Sequence, residues 1–132
     1  MNSRRNFIKN SGMAAMGAGI VNLNKKESMN FIHHVLFWAK NPENEAEVNQ
    51  LKNAIIELGK LPMIQMVHVG SPVITDFDKP VTEGTYTISV VMVFEDSEKE
   101  SEYLYSPEHK KFIQDNMRLW GKVMVIDSSN LR

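Results

Sequence analysis

The chain has 132 residues with a formal net charge of −1, and it is 42% hydrophobic and 23% charged. That is enough for one domain of ordinary size, not for two, and too apolar for a disordered chain. No cysteine is present, which excludes disulfides, thiol catalysis, a cysteine-ligated zinc and a lipidated cysteine. The charge is unevenly spread: residues 1–28 carry Arg4, Arg5, Lys9, Lys25 and Lys26 against the single acid Glu27, leaving 10 basic against 15 acidic residues downstream. An acidic domain repels phosphate backbones, so nucleic acid is not an expected partner.

Ser3-Arg4-Arg5-Asn6-Phe7-Ile8-Lys9 precedes a short, weakly apolar run from Ser11 to Val21 that is rich in Gly and Ala. Paired arginines before such a run are similar to a twin-arginine export signal. The run is too short and too glycine-rich to span a bilayer as a stable helix. The expected reading is an export signal and linker over 1–28, read out by Arg4 and Arg5, with a periplasmic or extracytoplasmic destination. Cleavage is expected between Ala18 and Ser28, and an uncleaved signal would tether the protein, its one expected contact with a membrane. Residues 29–132 then form the folded domain.

Phe31 to Ala39 is too short, β-branched and aromatic to favour a helix and predicts a first strand. Asn41-Pro42-Glu43 offers an N-cap, a first-turn proline and an acid, and Val48, Leu51, Ala54, Ile55, Leu58 and Leu61 follow at helical spacing until Gly59 and Pro62. Met63 to Val69 predicts a second strand, closed by Gly70. A loop from Ser71 to Gly84 follows, of a length that often covers a site. Thr85 to Glu95 predicts strand three. Ser97 and Glu100 make a capping-box pattern for a short helix through Tyr105, with the charged run Glu98 to Glu102 as its solvated face. Ser106-Pro107-Glu108 opens another helix carrying Phe112, Ile113, Met117 and Trp120, and Gly121 separates it from a last strand, Lys122 to Asp127.

The order β-α-β-β-α-β is the ferredoxin-like α+β pattern. Alternation puts Ile32, His34, Leu36 and Trp38 on one face of the first strand, and Tyr86, Ile88, Val90, Met92 and Phe94 on one face of the third. The helices suffice to cover one face of a four-stranded sheet, yet the other face is too apolar to leave wet. The cheapest cover is the same sheet of a second subunit, so a homodimer is expected.

Taken together, His34-Val35-Leu36-Phe37, Leu58-Gly59-Lys60-Leu61-Pro62, Gly70, Tyr86 with Val90 to Asp96, and Tyr103-Leu104-Tyr105-Ser106-Pro107-Glu108-His109 before Phe112 and Val123 to Asp127 resemble the Dabb family. These are the stress-responsive dimeric A/B barrel domains, and the likeness spans 30–127. The resemblance implies a homodimeric α/β barrel whose two sheets face each other, and no single activity. Some plant members are polyketide cyclases that use a histidine and a tyrosine, which would correspond to His109 and Tyr103. A histidine at the position of His34 also occurs in those members, whereas Ile88 replaces a polar pocket residue.

His109 falls in the first turn of its helix, where the dipole disfavours imidazolium and keeps a general base available. A tyrosine hydroxyl suits an oxygen that gains charge as an enolate forms. The expected apolar pocket comprises His34, Leu36, Trp38, Ile88, Val90 and Trp120, with Met92 and Met124 as soft walls. His33 and His34 point to opposite faces and no other His/Glu spacing converges, so neither a metal nor a cofactor is expected. The reading is a barrel that binds a small apolar molecule without assured catalysis. The alternative is a lyase or cyclase acting on a small carbonyl compound with His109 as base and Tyr103 as donor. A third is a monooxygenase or haem-degrading barrel of the same architecture.

Overall fold

The computed structural model describes residues 29–131, so the expected export signal, with Arg4 and Arg5, lies outside the described residues. β1 (Phe31–Ala39) runs over the span its alternating, aromatic-rich sequence predicts. The chain stays extended to Lys40, whose N–H donates to the Leu119 carbonyl, and turns at Asn41–Asn44. That turn delays α1 (Glu45–Leu58), which Asn44 rather than Asn41 caps by accepting from the Glu47 N–H. Asn44 is followed at once by Glu45 and Glu47, acids that suit the positive end of the dipole. Leu51, Ile55 and Leu58 bury its apolar stripe. Gly59 ends α1 in a right-handed conformation, so its lack of a side chain serves space instead: a Cβ there would meet Val67 Cγ1 at 3.0 Å.

β2 (Met66–Gly70) is shorter than Met63–Val69, because the chain at Met63 is still turning, with Ile64 N–H donating to the Leu61 carbonyl. The long loop that follows contains one 3₁₀ turn at Lys79–Val81, and β3 (Ile88–Phe94) begins later than Thr85. α2 (Ser97–Leu104) is capped by Asp96, whose carboxylate accepts from the Lys99 N–H. This frees Glu100 from a capping-box role. α3 (Pro107–Asn116) opens at Ser106 as its Ser-Pro start predicts. β4 (Trp120–Ser129) starts earlier than expected because Gly121 is absorbed as an extra residue, the register with β1 shifting between Trp38, opposite Lys122, and Ala39, opposite Trp120. It runs on at the other end because Ser128 and Ser129 still pair with Ile32 and Phe31.

The sheet is antiparallel in the order β2-β3-β1-β4, the ferredoxin-like α+β arrangement. All helices lie on one face, over a core of Val35, Phe37, Ile88, Val90, Met92 and Phe94 joined by Leu51, Ile55, Tyr103 and Phe112. Among the described residues no helix is long and apolar enough to cross a membrane.

Candidate functional site

The pairing register sets which side chains meet. His33 lies opposite Met92, Val35 opposite Val90 and Phe37 opposite Ile88, so the odd residues of β1 share a face with the even residues of β3. β4 adds Val123, Val125 and Asp127 to that same face, which is the one the helices cover. The expected pocket of six residues is therefore divided by the sheet. Ile88, Val90 and Trp120 belong to the helix-covered side, whereas His34, Leu36 and Trp38 stand on the other side with Ser89, Val91 and Met124.

A cavity of about 200 Å³ opens between the helices and the sheet, with Val35, Phe37, Val90 and Met92 as its floor and Phe112 and Trp120 among its walls. Its mouth lies along the β4 edge, where the lining residues Ile113, Val123 and Val125 are exposed. This volume is below that of a drug-sized site and suits a ligand of about one substituted ring. Ile88 is buried in the core and does not line the cavity.

Tyr103 and His109 both face this cavity, with ring centroids 4.7 Å apart. Local chemistry explains why they stand together. The Ser106 hydroxyl accepts from the His109 N–H at 3.1 Å and donates to the Tyr103 carbonyl at 2.7 Å, tying the end of α2 to the start of α3. Such a cap stabilises by about 1 kcal/mol. The His109 ring is fixed by a 3.0 Å bond from Nδ1 to the Leu104 carbonyl. A carbonyl only accepts, so Nδ1 carries the proton and the neutral ring keeps its lone pair on Nε2. Burial lowers the His109 pKa from 6.5, a shift opposed by the bond to Leu104 and aided by the charge of His33. Burial, with the nearby charge of Glu100, pushes the Tyr103 hydroxyl well above 10.0, so it remains a proton donor.

The third titratable group on the cavity wall is His33, not His34. His34 is half-buried on the opposite face, its Nε2 3.0 Å from the Ser89 hydroxyl, and burial followed by the charge of His33 lowers its pKa. His33 is buried, with Nδ1 2.7 Å from Asp127 Oδ1 and 3.1 Å from Glu100 Oε2. Glu100 is thus not part of a solvated face. It is 6% exposed, and burial first and the charge of Asp127 second raise its pKa, partly offset by His33. Contrary to the expectation of no convergent ligands, one group of metal-ligating side chains exists among the described residues, His33, Glu100 and Asp127. They come from β1, α2 and β4, so no sequence spacing announces them. The signal available was the strand parity of His33, whose face the pairing register alone identifies.

No curated protein matches the chain in sequence. Among solved structures it is similar to a Dabb family protein with a ferredoxin-like fold from Mesorhizobium loti (20% identity, TM-score 0.64), over 77% of this chain and 97% of that one. It is also similar to a dimeric ferredoxin-like protein of unknown function from Thermobifida fusca (16% identity, TM-score 0.62), over 79% and 93% of the two chains. A hydroxynitrile lyase from Passiflora edulis matches at 14% identity and a TM-score of 0.63, over 78% and 95%. At these identities the likeness shows the fold. The family model of the Stress responsive A/B Barrel Domain, Dabb, matches residues 32–130, all of the sheet but its first residue and every helix described above, and the chain belongs to that family.

Proposed function

We propose that the protein is an exported homodimer that takes a small apolar carbonyl compound into the helix-covered cavity and transfers a proton there, in a lyase- or cyclase-type reaction. The observation that carries this reading is the convergence of Tyr103 and His109 on one apolar cavity, with the His109 tautomer held by Leu104. Nε2 takes a proton from the carbon beside the carbonyl, and the released electron pair moves onto the carbonyl oxygen. The Tyr103 hydroxyl stabilises that oxygen by donation. Apolar walls strengthen both interactions by excluding water.

The test is deuterium exchange at the α-carbon of acetophenone and its ring-hydroxylated relatives in D₂O, with mandelonitrile cleavage as the lyase arm. Exchange or cleavage faster than in buffer is expected. Binding without either reaction would leave a cavity that only holds its ligand, the reading favoured by how few polar groups the walls carry.

The homodimer is supported by the sheet face away from the helices. There Met66 is 53% and Ile126 47% exposed, beside Met124 and the half-buried Ile32, Trp38 and Val91. A largely apolar face of this kind needs a partner, and the Thermobifida fusca relative is a dimer. Ile126→Glu would place a charge in that interface without touching the cavity, and it is expected to give monomers by light scattering. An unchanged dimer would place the interface elsewhere.

Export rests on Arg4 and Arg5 ahead of the Gly/Ala-rich run. Changing both to lysine is expected to keep a reporter fusion in the cytoplasm, and continued export would remove the twin-arginine route.

A further inference from the structure

We propose that His33, Glu100 and Asp127 form a binding site for one divalent transition-metal ion, with Zn²⁺ the best fit, beside the cavity. The three residues reach one point from β1, α2 and β4, and their ligand atoms all lie within 4.8 Å of one another. Neither the proton-transfer reading nor the dimer enters this inference.

Two observations point to a cation. The first is the mutual placement of one imidazole nitrogen and two carboxylates, with Nδ1 at 2.7 Å from Asp127 Oδ1 and 3.1 Å from Glu100 Oε2. The second is Glu100 Oε2 itself. Its side chain is more than nine-tenths buried, and although it approaches Nδ1 it has no hydrogen-bond partner among the described residues. Nδ1 has one direction to offer and Asp127 takes it. A buried carboxylate oxygen left without a partner is costly, and with both carboxylates ionised the two outweigh one imidazole. A divalent cation meets both deficits at once.

The donor set selects the ion. An imidazole nitrogen favours zinc, copper, nickel or iron over magnesium and calcium, which take oxygen ligands. One nitrogen and two oxygens without a thiolate fit a three-ligand zinc centre that keeps a fourth position. Tetrahedral donors at zinc distances stand about 3.3 Å apart, so the Glu100 contact at 3.1 Å nearly fits and the Asp127 contact at 2.7 Å must widen by about 0.6 Å. Asp127 can give that room, since its side chain is 39% exposed near the end of β4.

Occupation would change the cavity. Without an ion, Nδ1–H donates to Asp127, which in a neutral ring leaves the lone pair on Nε2. An ion on Nδ1 takes that nitrogen's lone pair and leaves the proton on Nε2. Because His33 lines the cavity, the ion converts one wall group from acceptor to donor.

The experiment is equilibrium dialysis of the chelator-treated full chain against Zn²⁺, Mn²⁺ and Mg²⁺ separately, with elemental analysis and ¹⁵N NMR of the histidine rings. One Zn²⁺ per chain is expected, Mn²⁺ more weakly and Mg²⁺ not at all, with the Nδ1 resonance of His33 shifting on Zn²⁺ addition. Glu100→Gln and Asp127→Asn should each weaken Zn²⁺ by about tenfold or more, while His68→Ala, an exposed histidine on β2, should leave it unchanged. Substoichiometric Zn²⁺, a silent His33 resonance, or binding that His68→Ala abolishes would each overturn the site. If Glu100→Gln fails to fold, Asp127→Asn and the wild-type resonances still decide.

Discussion

His109→Ala is expected to slow α-carbon exchange of a bound aryl ketone by about 10²–10⁴-fold, the range a positioned general base contributes. Tyr103→Phe removes one donor to the developing oxyanion and is expected to cost up to about 10²-fold, with ligand binding largely retained because the ring still packs. The pH profile supplies the sign. Burial holds His109 below the ordinary 6.5, so the reactive neutral form persists through pH 7 and the rate falls only as pH drops through the lowered value. Tyr103 is shifted upward, so it adds no alkaline limb in the neutral range. The same His109 shift bears on stability. The folded state binds its proton less readily than the unfolded chain, so this contribution is complete above 6.5 and is lost as pH falls below it. A rate unchanged in His109→Ala would move the base elsewhere, His33 being the remaining imidazole on the wall.

Phe94→Ala should be the most damaging single truncation, at about 3–5 kcal/mol of unfolding free energy. Phe94 is 0% exposed and sits at the junction of sheet and helices, with ring centroids 6.5 Å from Phe31, 6.3 Å from His33 and 5.4 Å from Tyr103. Few atoms can move into the space it leaves, because its neighbours are rings anchored on β1 and α2. A domain of this size holds about 5–15 kcal/mol in total, so much of the margin would go. Denaturant titration at fixed protomer concentration measures it, the fixed concentration removing the mass-action term of a dimer. Phe94→Leu, which keeps most of the volume, should lose clearly less. A loss under about 1 kcal/mol in Phe94→Ala would mean that the core closes over the gap. Because Tyr103 leans on this ring, ligand binding should weaken together with stability.

Local chemistry placed the elements. β1 follows its own run of β-branched and aromatic residues, and α3 starts where Ser106-Pro107 says it should. The caps mark a limit: the sequence points to Asn41 and Ser97, whereas the structure caps the two helices with Asn44 and Asp96. Tyr103 and His109 were singled out by the family resemblance, and they meet because local hydrogen bonds at Ser106 and Leu104 close the one helix corner between them.

The rest of the site was not legible, for a reason of topology. A hairpin sets strand register through its turn, but β1 pairs with β3 and β4, to neither of which a turn connects it. A shift of one residue exchanges the two faces, so alternation gave the correct sets within each strand and could not say which sets meet. That is why His34, Leu36 and Trp38 were grouped with Ile88 and Val90, and why His33 was passed over. Glu100 followed the same logic, since a glutamate within a run of charges reads as solvated until β1 and β4 close over it. The amino-acid order alone determined the strand and helix content and the ferredoxin-like class, and through the family resemblance it pointed to Tyr103 and His109. The tertiary structure decided which face of each strand is covered, and with it the walls of the cavity and the meeting of His33, Glu100 and Asp127, because contacts between strands distant in sequence are set only when the sheet assembles.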